Sequence, residues 1–216
     1  MENVRSAVIL AGGRGRRIGS EKAFMEFFGK TLIERAVDLV QEVAQDVVVV
    51  ARDEEQKAHL QSLVPKSKAN LVCDYVPDYG PVAALASGLE SAEGEYALAV
   101  GCDLPFLNPS LIGELFRLVE GHDAAIPLRE DGLLETLHAV YCADRMALAC
   151  RKAIENDQRR ILAPLEGLQV ACVPVGELRS LDPRLLSFFN INTGEDLAEA
   201  RRIWTDLRYI ALSDAF

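Results

Sequence analysis

Val4-Arg5-Ser6-Ala7-Val8-Ile9-Leu10-Ala11-Gly12-Gly13-Arg14-Gly15-Arg16-Arg17-Ile18-Gly19-Ser20-Glu21-Lys22 is the stretch on which the fold turns. Residues 4–11 are an almost unbroken apolar run. A strand buried on both faces needs apolar side chains in both alternating directions, so the run predicts an inner strand of a parallel sheet. A loop crowded with glycine and arginine follows at once. Open α/β sheets take their ligands at the C-terminal ends of strands, and glycine lets backbone N–H groups approach a phosphate closely. Arg14, Arg16, Arg17 and Lys22 bring four positive charges, opposed only by Glu21. The whole chain has a formal net charge of −10. The loop therefore reverses the sign locally, within the ~8 Å over which charges are felt at physiological salt. A triphosphate is its natural partner. A P-loop is excluded, because Gly19 is followed by Ser20 and Glu21 instead of Lys and Ser or Thr. The dinucleotide fingerprint fails too, since Gly13, Gly15 and Gly19 leave one residue too many in the second gap.

Outward from this loop, strand and helix signals alternate. Thr31 with Glu34 forms a capping-box pattern before apolar residues at helical spacing from Leu32 to Val43. Asp46–Ala51, with four consecutive valines, is a second buried strand, and 54–63 is an exposed helix. Asn70–Cys73 is a third strand. Gly80-Pro81 opens a small-residue apolar helix ending near Ser91, and Tyr96–Gly101 is a fourth strand. Asn108 caps a helix with Pro109 at its first position. After about residue 121 the rhythm loosens. Strands are expected at 123–127, 136–141, 169–175 and 188–192. Helices are expected at 144–156 and 159–165, with a last one running to Trp204. The pattern predicts an α/β fold: a Rossmann-like, mostly parallel central sheet flanked by helices, with a less regular second half. We expect a single domain over 1–216, with an NTP-binding half at about 1–120 and an acceptor-binding half at about 121–216.

Composition narrows the function classes. Half of the 216 residues are hydrophobic but only 6% are aromatic, so Val, Leu, Ile and Ala must fill the core. A strongly acidic chain opposes non-specific binding to nucleic acid and to anionic membranes. No apolar stretch approaches the roughly 20 residues needed to span a bilayer, and the opening run is too short for a signal peptide. The five cysteines are odd in number, with no C-x-x-C pair. They read as free thiols in a reducing compartment, without zinc-ligand spacing. The expectation is a cytoplasmic protein.

Asp103 directly follows the apolar run of the fourth strand, and Leu104-Pro105 ends it. That puts a carboxylate on the same sheet edge as the first loop. Hard oxygen ligands suit Mg²⁺, which commonly takes one or two carboxylates plus substrate phosphates. Among the histidines, His59 and His122 read as surface residues and His138 as a structural residue on the acceptor side. Cys102 reads as a core thiol. Trp204 and Phe216 are candidates to cover an apolar surface.

The chain resembles the molybdenum cofactor guanylyltransferases, within the wider nucleotidyltransferase superfamily. Leu10-Ala11-Gly12-Gly13, Arg17-Ile18-Gly19 and Lys22 are similar to that family's opening signature. Asp74 before Gly80-Pro81 resembles its Asp followed by a Gly-Pro-rich helix start. Cys102-Asp103-Leu104-Pro105-Phe106 resembles its metal-binding segment. Arg159-Arg160 resembles its basic pair before a short helix, and Asn190-Ile191-Asn192-Thr193 its closing motif. The resemblance implies that Leu10, Ala11, Gly12 and Gly13 contact base and phosphates. It implies that Arg17 and Lys22 neutralise triphosphate charge, that Asp74 lies by the nucleoside and that Asp103 holds Mg²⁺. Asn190 or Asn192 would stand near metal or acceptor, and Arg159 and Arg160 would bind the acceptor phosphate. The donor would be GTP and the acceptor a molybdopterin, with hand-over to other cofactor-synthesis proteins and to molybdoenzymes. Four departures stand out: Glu21 where many relatives carry Asp, Gly101 where Pro is commoner, a strand end Val50-Ala51-Arg52 without the Asn-containing end of some relatives, and a short gap from Asp74 to Gly80. A related nucleotidyltransferase using CTP, or another small phosphorylated acceptor such as a sugar phosphate or phospholactate, is the neighbouring reading. A nucleotide-binding protein without catalysis is the more distant one.

Overall fold

Parallel pairing needs strands that are apolar on both sides, and the first half of the chain supplies them. The computed structural model describes residues 4–12 and 21–213. Strand β1 (Arg5–Leu10) lies at the centre, and a two-residue-per-strand hairpin, β2 (Glu26–Phe27) and β3 (Lys30–Thr31), follows. Then come helix α1 (Leu32–Val40), β4 (Asp46–Ala51), α2 (Glu54–Leu63), β5 (Asn70–Cys73), α3 (Pro81–Leu89) and β6 (Tyr96–Gly101). The second half adds α4 (Pro109–Leu118), β7 (Ala124–Leu128), β8 (His138–Cys142), α5 (Ala143–Glu155), β9 (Val170–Pro174) and α6 (Gly194–Ser213).

The main sheet has seven strands in the order β5-β4-β1-β6-β8-β7-β9. Strands β5, β4, β1 and β6 are mutually parallel. Strand β8 runs against both β6 and β7, while β7 and β9 pair in parallel. The chain leaves β1 toward β4 and β5, then crosses back to β6 on the other side. That reversal opens a crevice between the ends of β1 and β6, where α/β proteins of this topology bind ligands. Leu10 is the register partner of both Val50 and Gly101, which brings three strand ends level.

Local signals explain most elements. Thr31 Oγ1 accepts from the Glu34 amide, and the Glu34 carboxylate accepts from the Thr31 amide, so the capping box forms. Asn108 accepts from the Ser110 and Leu111 amides ahead of Pro109. Two apolar layers cover the sheet, α1, α2 and α4 on one face and α3 and α5 on the other. Beyond the sheet edge, Trp204 of α6 packs its ring against Phe27 and Phe106, under the Arg35 guanidinium. It covers an apolar surface as expected, while Phe216 lies outside the described residues.

Two expected elements are absent. Residues 188–192 are not a strand: Leu186–Phe188 is a 3-10 turn, and the next residues run as a loop. Leu185 takes a left-handed conformation at φ 52°, and the Ile191 amide donates to the Asp103 carbonyl, so no ladder forms. Asn190 and Asn192 therefore do not share a strand face. Nor is 159–165 a helix. Only Ala163–Leu165 makes a 3-10 turn. Pro164 would stand in the interior of a helix begun at Arg159, where it lacks the N–H that must bond back one turn. Arg159 and Arg160 thus occupy no helix N-terminus.

Helix α3 approaches β1 and β4 closely enough that Gly88 has no room for a side chain. A Cβ built there would overlap Val8 and lie 2.8 Å from Val50 Cγ2. Both valines are buried and β-branched, so neither can swing aside. Gly88→Ala should destabilise the protein by about 1–3 kcal/mol, measured as a lowered urea midpoint with an unchanged m-value.

Candidate active site

The crevice holds a cavity of about 350 Å³ lined by Leu10, Gly12, Lys22, Val50, Ala51, Arg52, Asp74, Asp78, Gly80, Pro81, Ala84, Gly101, Cys102, Asp103 and Leu137. Most of these residues follow directly on the C-terminal ends of β1, β4, β5 and β6 or open α3. Gly80 sits at φ 108°, a conformation that favours glycine, and hands the chain to Pro81 at the start of α3.

Three polar groups converge at one rim. Lys22 Nζ donates to Asp103 Oδ2 at 2.6 Å and to Asn192 Oδ1 at 2.6 Å. The Lys22 and Asp103 side chains are 15% and 20% exposed. Behind them, the Ile191 amide donates to the Asp103 carbonyl. Asp196 accepts from the Asn192 and Thr193 amides, and Thr193 Oγ1 accepts from the Asp196 amide. The start of α6 thereby fixes the loop that carries Asn192. Asn190 turns away and donates to the Phe188 carbonyl. Of the two asparagines, only Asn192 reaches the Lys22–Asp103 pair among the described residues.

Asp103 has room because residue 101 is glycine: a Cβ there would lie 2.6 Å from Asp103 Oδ1. Among the described residues no hydrogen-bond donor meets Oδ1. Asp103 lines the cavity, and its hard carboxylate oxygens suit Mg²⁺; no cluster of three acidic, histidine or cysteine ligands occurs among the described residues. Cys102 is buried, and burial, with Asp103 beside it, pushes its thiol up to about 12. It is a neutral core group.

Asp74 lies across the cavity, one residue past β5. Its Oδ1 accepts from the Val76 amide. Burial raises its carboxyl above the ordinary range; the Val76 hydrogen bond works against that rise, and Asp78 adds to it. Arg159 stacks over the Tyr79 ring at 4.7 Å and pairs with Asp157. It stands by the α3 side, apart from the Lys22–Asp103–Asn192 group, and Arg160 is exposed. Gly13 and Arg17 lie outside the described residues. Leu10, Ala11 and Gly12 stand at the end of β1, where Leu10 and Gly12 line the cavity and the Leu10 carbonyl accepts from the Cys102 amide.

Two further polar residues belong to the site's frame. Arg52 lines the cavity and pairs with Glu21 at 2.7 Å. Gln56, buried in α2, reaches the same place. The signal for Gln56 was present: Asp53 and Gln56 have capping-box spacing. Asp53 does cap α2, but the Gln56 carboxamide accepts from the Arg52 amide one residue further back.

Residues 7–170 match the family described as the MobA-like NTP transferase domain. The chain belongs to the MobA-like NTP transferase family. It is 41% identical over 198 residues to a probable molybdenum cofactor guanylyltransferase of Methanosarcina mazei, covering 89% of this chain and 88% of that one. It is 36% identical over 197 residues to the molybdenum cofactor guanylyltransferase of Desulfosudis oleivorans, covering 90% and 93%. The crystal structure of molybdopterin-guanine dinucleotide biosynthesis protein A from Archaeoglobus fulgidus superposes with a TM-score of 0.81 at 35% identity, over 93% of this chain and 99% of that one. In this MobA-like chain the cavity at the strand ends is the candidate active site.

His138 begins β8 beside the cavity wall and is 1% exposed, its ring 4.7 Å from that of Phe188. Neither ring nitrogen has a partner in hydrogen-bonding geometry among the described residues. Burial pushes its pKa down to about 4, against weaker pulls from the Ser187 backbone and Asp182. The ring is neutral when folded, whereas the unfolded chain protonates it near pH 6.5. Stability contributed by this group is therefore full above pH 6.5 and is lost as pH falls toward 4, at a slope approaching about 1.4 kcal/mol per pH unit. His138→Phe should flatten this acid limb, read from urea midpoints compared at pH 7 and pH 5.

Proposed function

We propose that this protein transfers GMP from GTP to the terminal phosphate of a molybdopterin acceptor, releasing pyrophosphate and forming the guanine dinucleotide of the molybdenum cofactor. The observation that carries the reading is the convergence of Lys22, Asp103 and Asn192 at the mouth of the strand-end cavity, in a chain whose relatives bear guanylyltransferase names.

No protein nucleophile is required. An acceptor phosphate oxygen attacks the α-phosphorus. A new P–O bond forms, the bond to the β-phosphate bridging oxygen breaks, and pyrophosphate leaves with that electron pair. The protein positions the two phosphates and neutralises charge. Leu10, Ala11, Gly12 and Gly13 face base and phosphates, and Arg17 and Lys22 offset the triphosphate. Asp74 accepts hydrogen bonds from the nucleoside. Asp103 holds Mg²⁺, which supplies charge neutralisation at the reacting phosphates when bound. Asn192 lies on the acceptor side, with Asn190 supporting its loop. Arg159 and Arg160 are assigned to the rim, with Arg159 near the Tyr79 edge. In this reading residues up to about 120 hold the NTP and those beyond hold the acceptor. Five free cysteines, and no helix among the described residues long and apolar enough to cross a membrane, fit a cytoplasmic enzyme that exchanges its product with other cofactor-synthesis proteins and molybdoenzymes.

Calorimetry with GTP, CTP, ATP and UTP in the presence of Mg²⁺ should show selective GTP binding that weakens in Asp103→Ala. Pyrophosphate release with a molybdopterin acceptor should fall on the order of 100-fold or more in that variant. Preference for CTP would retain the reaction class and reassign the donor. Nucleotide binding without release of pyrophosphate from the NTP in the presence of any acceptor would make the chain a binding protein.

A further inference from the structure

Helix α2 is polar and solvated along most of its length, and of its ten residues only Gln56 and Leu60 are buried. Burying a carboxamide is unfavourable unless every polar group finds a partner. Gln56 is 2% exposed and fully bonded. Its Oε1 accepts from the Arg52 amide at 2.7 Å. Its Nε2 donates to the Ala11 carbonyl at 3.0 Å and to Glu21 Oε2 at 3.3 Å. These partners fix the orientation of the amide, since an N–H must meet an oxygen and the two acceptors must meet the NH₂ group.

The three partners come from three places in the chain. Ala11 follows β1, Arg52 follows β4, and Glu21 directly precedes Lys22. The remaining Glu21 oxygen, Oε1, pairs with Arg52 at 2.7 Å, and Arg52 Nε donates to Asp53 Oδ2 at 2.7 Å. The bonds close a ring through Gln56, Glu21, Arg52 and Asp53. It also engages the acid that precedes Lys22 in sequence: Glu21 has both oxygens bonded, one of them by a guanidinium, so its charge is offset where a triphosphate would be repelled.

We propose that Gln56 is the positioning residue of the nucleotide site. Its carboxamide ties Ala11 and Glu21, the residues on either side of the glycine- and arginine-rich stretch, to the end of β4, and so sets the place of Lys22. Gln56 touches no substrate and acts through these partners. The inference rests on the nucleotidyltransferase reading of the cavity.

Gln56→Met keeps the length of the side chain and removes every one of these bonds. It should raise the Kd for GTP with Mg²⁺ about tenfold, leave the acceptor KM unchanged, and speed tryptic cleavage after Arg14, Arg16 and Arg17 several-fold. Gln56→Glu, which sets a carboxylate against Glu21 and the Ala11 carbonyl, should raise Kd further. Leu60→Ala controls for loss of helix packing, because it loosens α2 from the core without touching the ring. A Leu60→Ala protein with a Tm lowered as much as that of Gln56→Met but an unchanged Kd and cleavage rate supports the positioning role. An equal rise in Kd in Leu60→Ala, or no change in either readout for Gln56→Met, overturns it. Should the wild type bind no nucleotide, the reading of the cavity fails, and the cleavage comparison alone still decides whether Gln56 tethers the two flanks.

Discussion

Parallel pairing on both sides of β1 is the constraint from which the rest follows. With β4 on one edge and β6 on the other, β1 must be apolar on both faces, and three strand ends must finish level. The backbone groups beyond those ends have no further ladder to join. Two further bonds meet some of them, the Ala11 amide donating to the Val50 carbonyl and the Cys102 amide to the Leu10 carbonyl, before the connections diverge. Every polar residue assigned to chemistry is placed by one of these ends or by a segment laid across them. Asp103 stands two residues past β6, Asp74 one past β5, and Arg52 one past β4.

The electrostatics of the site are those of a balanced patch inside an acidic molecule. Lys22 is shared between a carboxylate and an amide oxygen, and Arg52 between two carboxylates. Neither cation is unpaired, and each of the three acids, Asp103, Glu21 and Asp53, has a cationic partner. An anionic ligand at this place would have to exchange partners with these groups instead of adding to an exposed positive surface. That fits a protein of net charge −10, in which an unpaired basic loop would be the exception.

Much of this was legible in the sequence because the physics is local. The Val47–Val50 run can only be a strand buried on both faces. Thr31 with Glu34, and Asn108 with Pro109, name helix starts by their own hydrogen bonding. Asp103 is marked by the apolar run it ends. What was not legible depends on distant partners. Phe188 to Asn192 alternate like a strand, but a carbonyl 88 positions earlier claims the Ile191 amide. Arg159 and Arg160 precede apolar residues as at a helix start, but Pro164 forbids the helix. Gln56 has capping-box spacing, and nothing nearby reveals that its amide bypasses the cap to join three segments. The antiparallel direction of β8 between β6 and β7 is likewise invisible to periodicity.

The separation between Lys22 and Asn192 has a consequence for how the molecule comes into being. The lysine is translated before the asparagine that shares its proton donors, which lies 170 residues later. Domains assemble from the N-terminal end during synthesis. Strands β1, β4, β5 and β6 can therefore pair while the remainder is still being translated, leaving a crevice with its lysine and its aspartate but no closing wall. Only when α6 docks through Thr193 and Asp196 does the amide oxygen arrive. The strand-end pocket is thus half-formed from the completion of β6 until the start of α6 has been made.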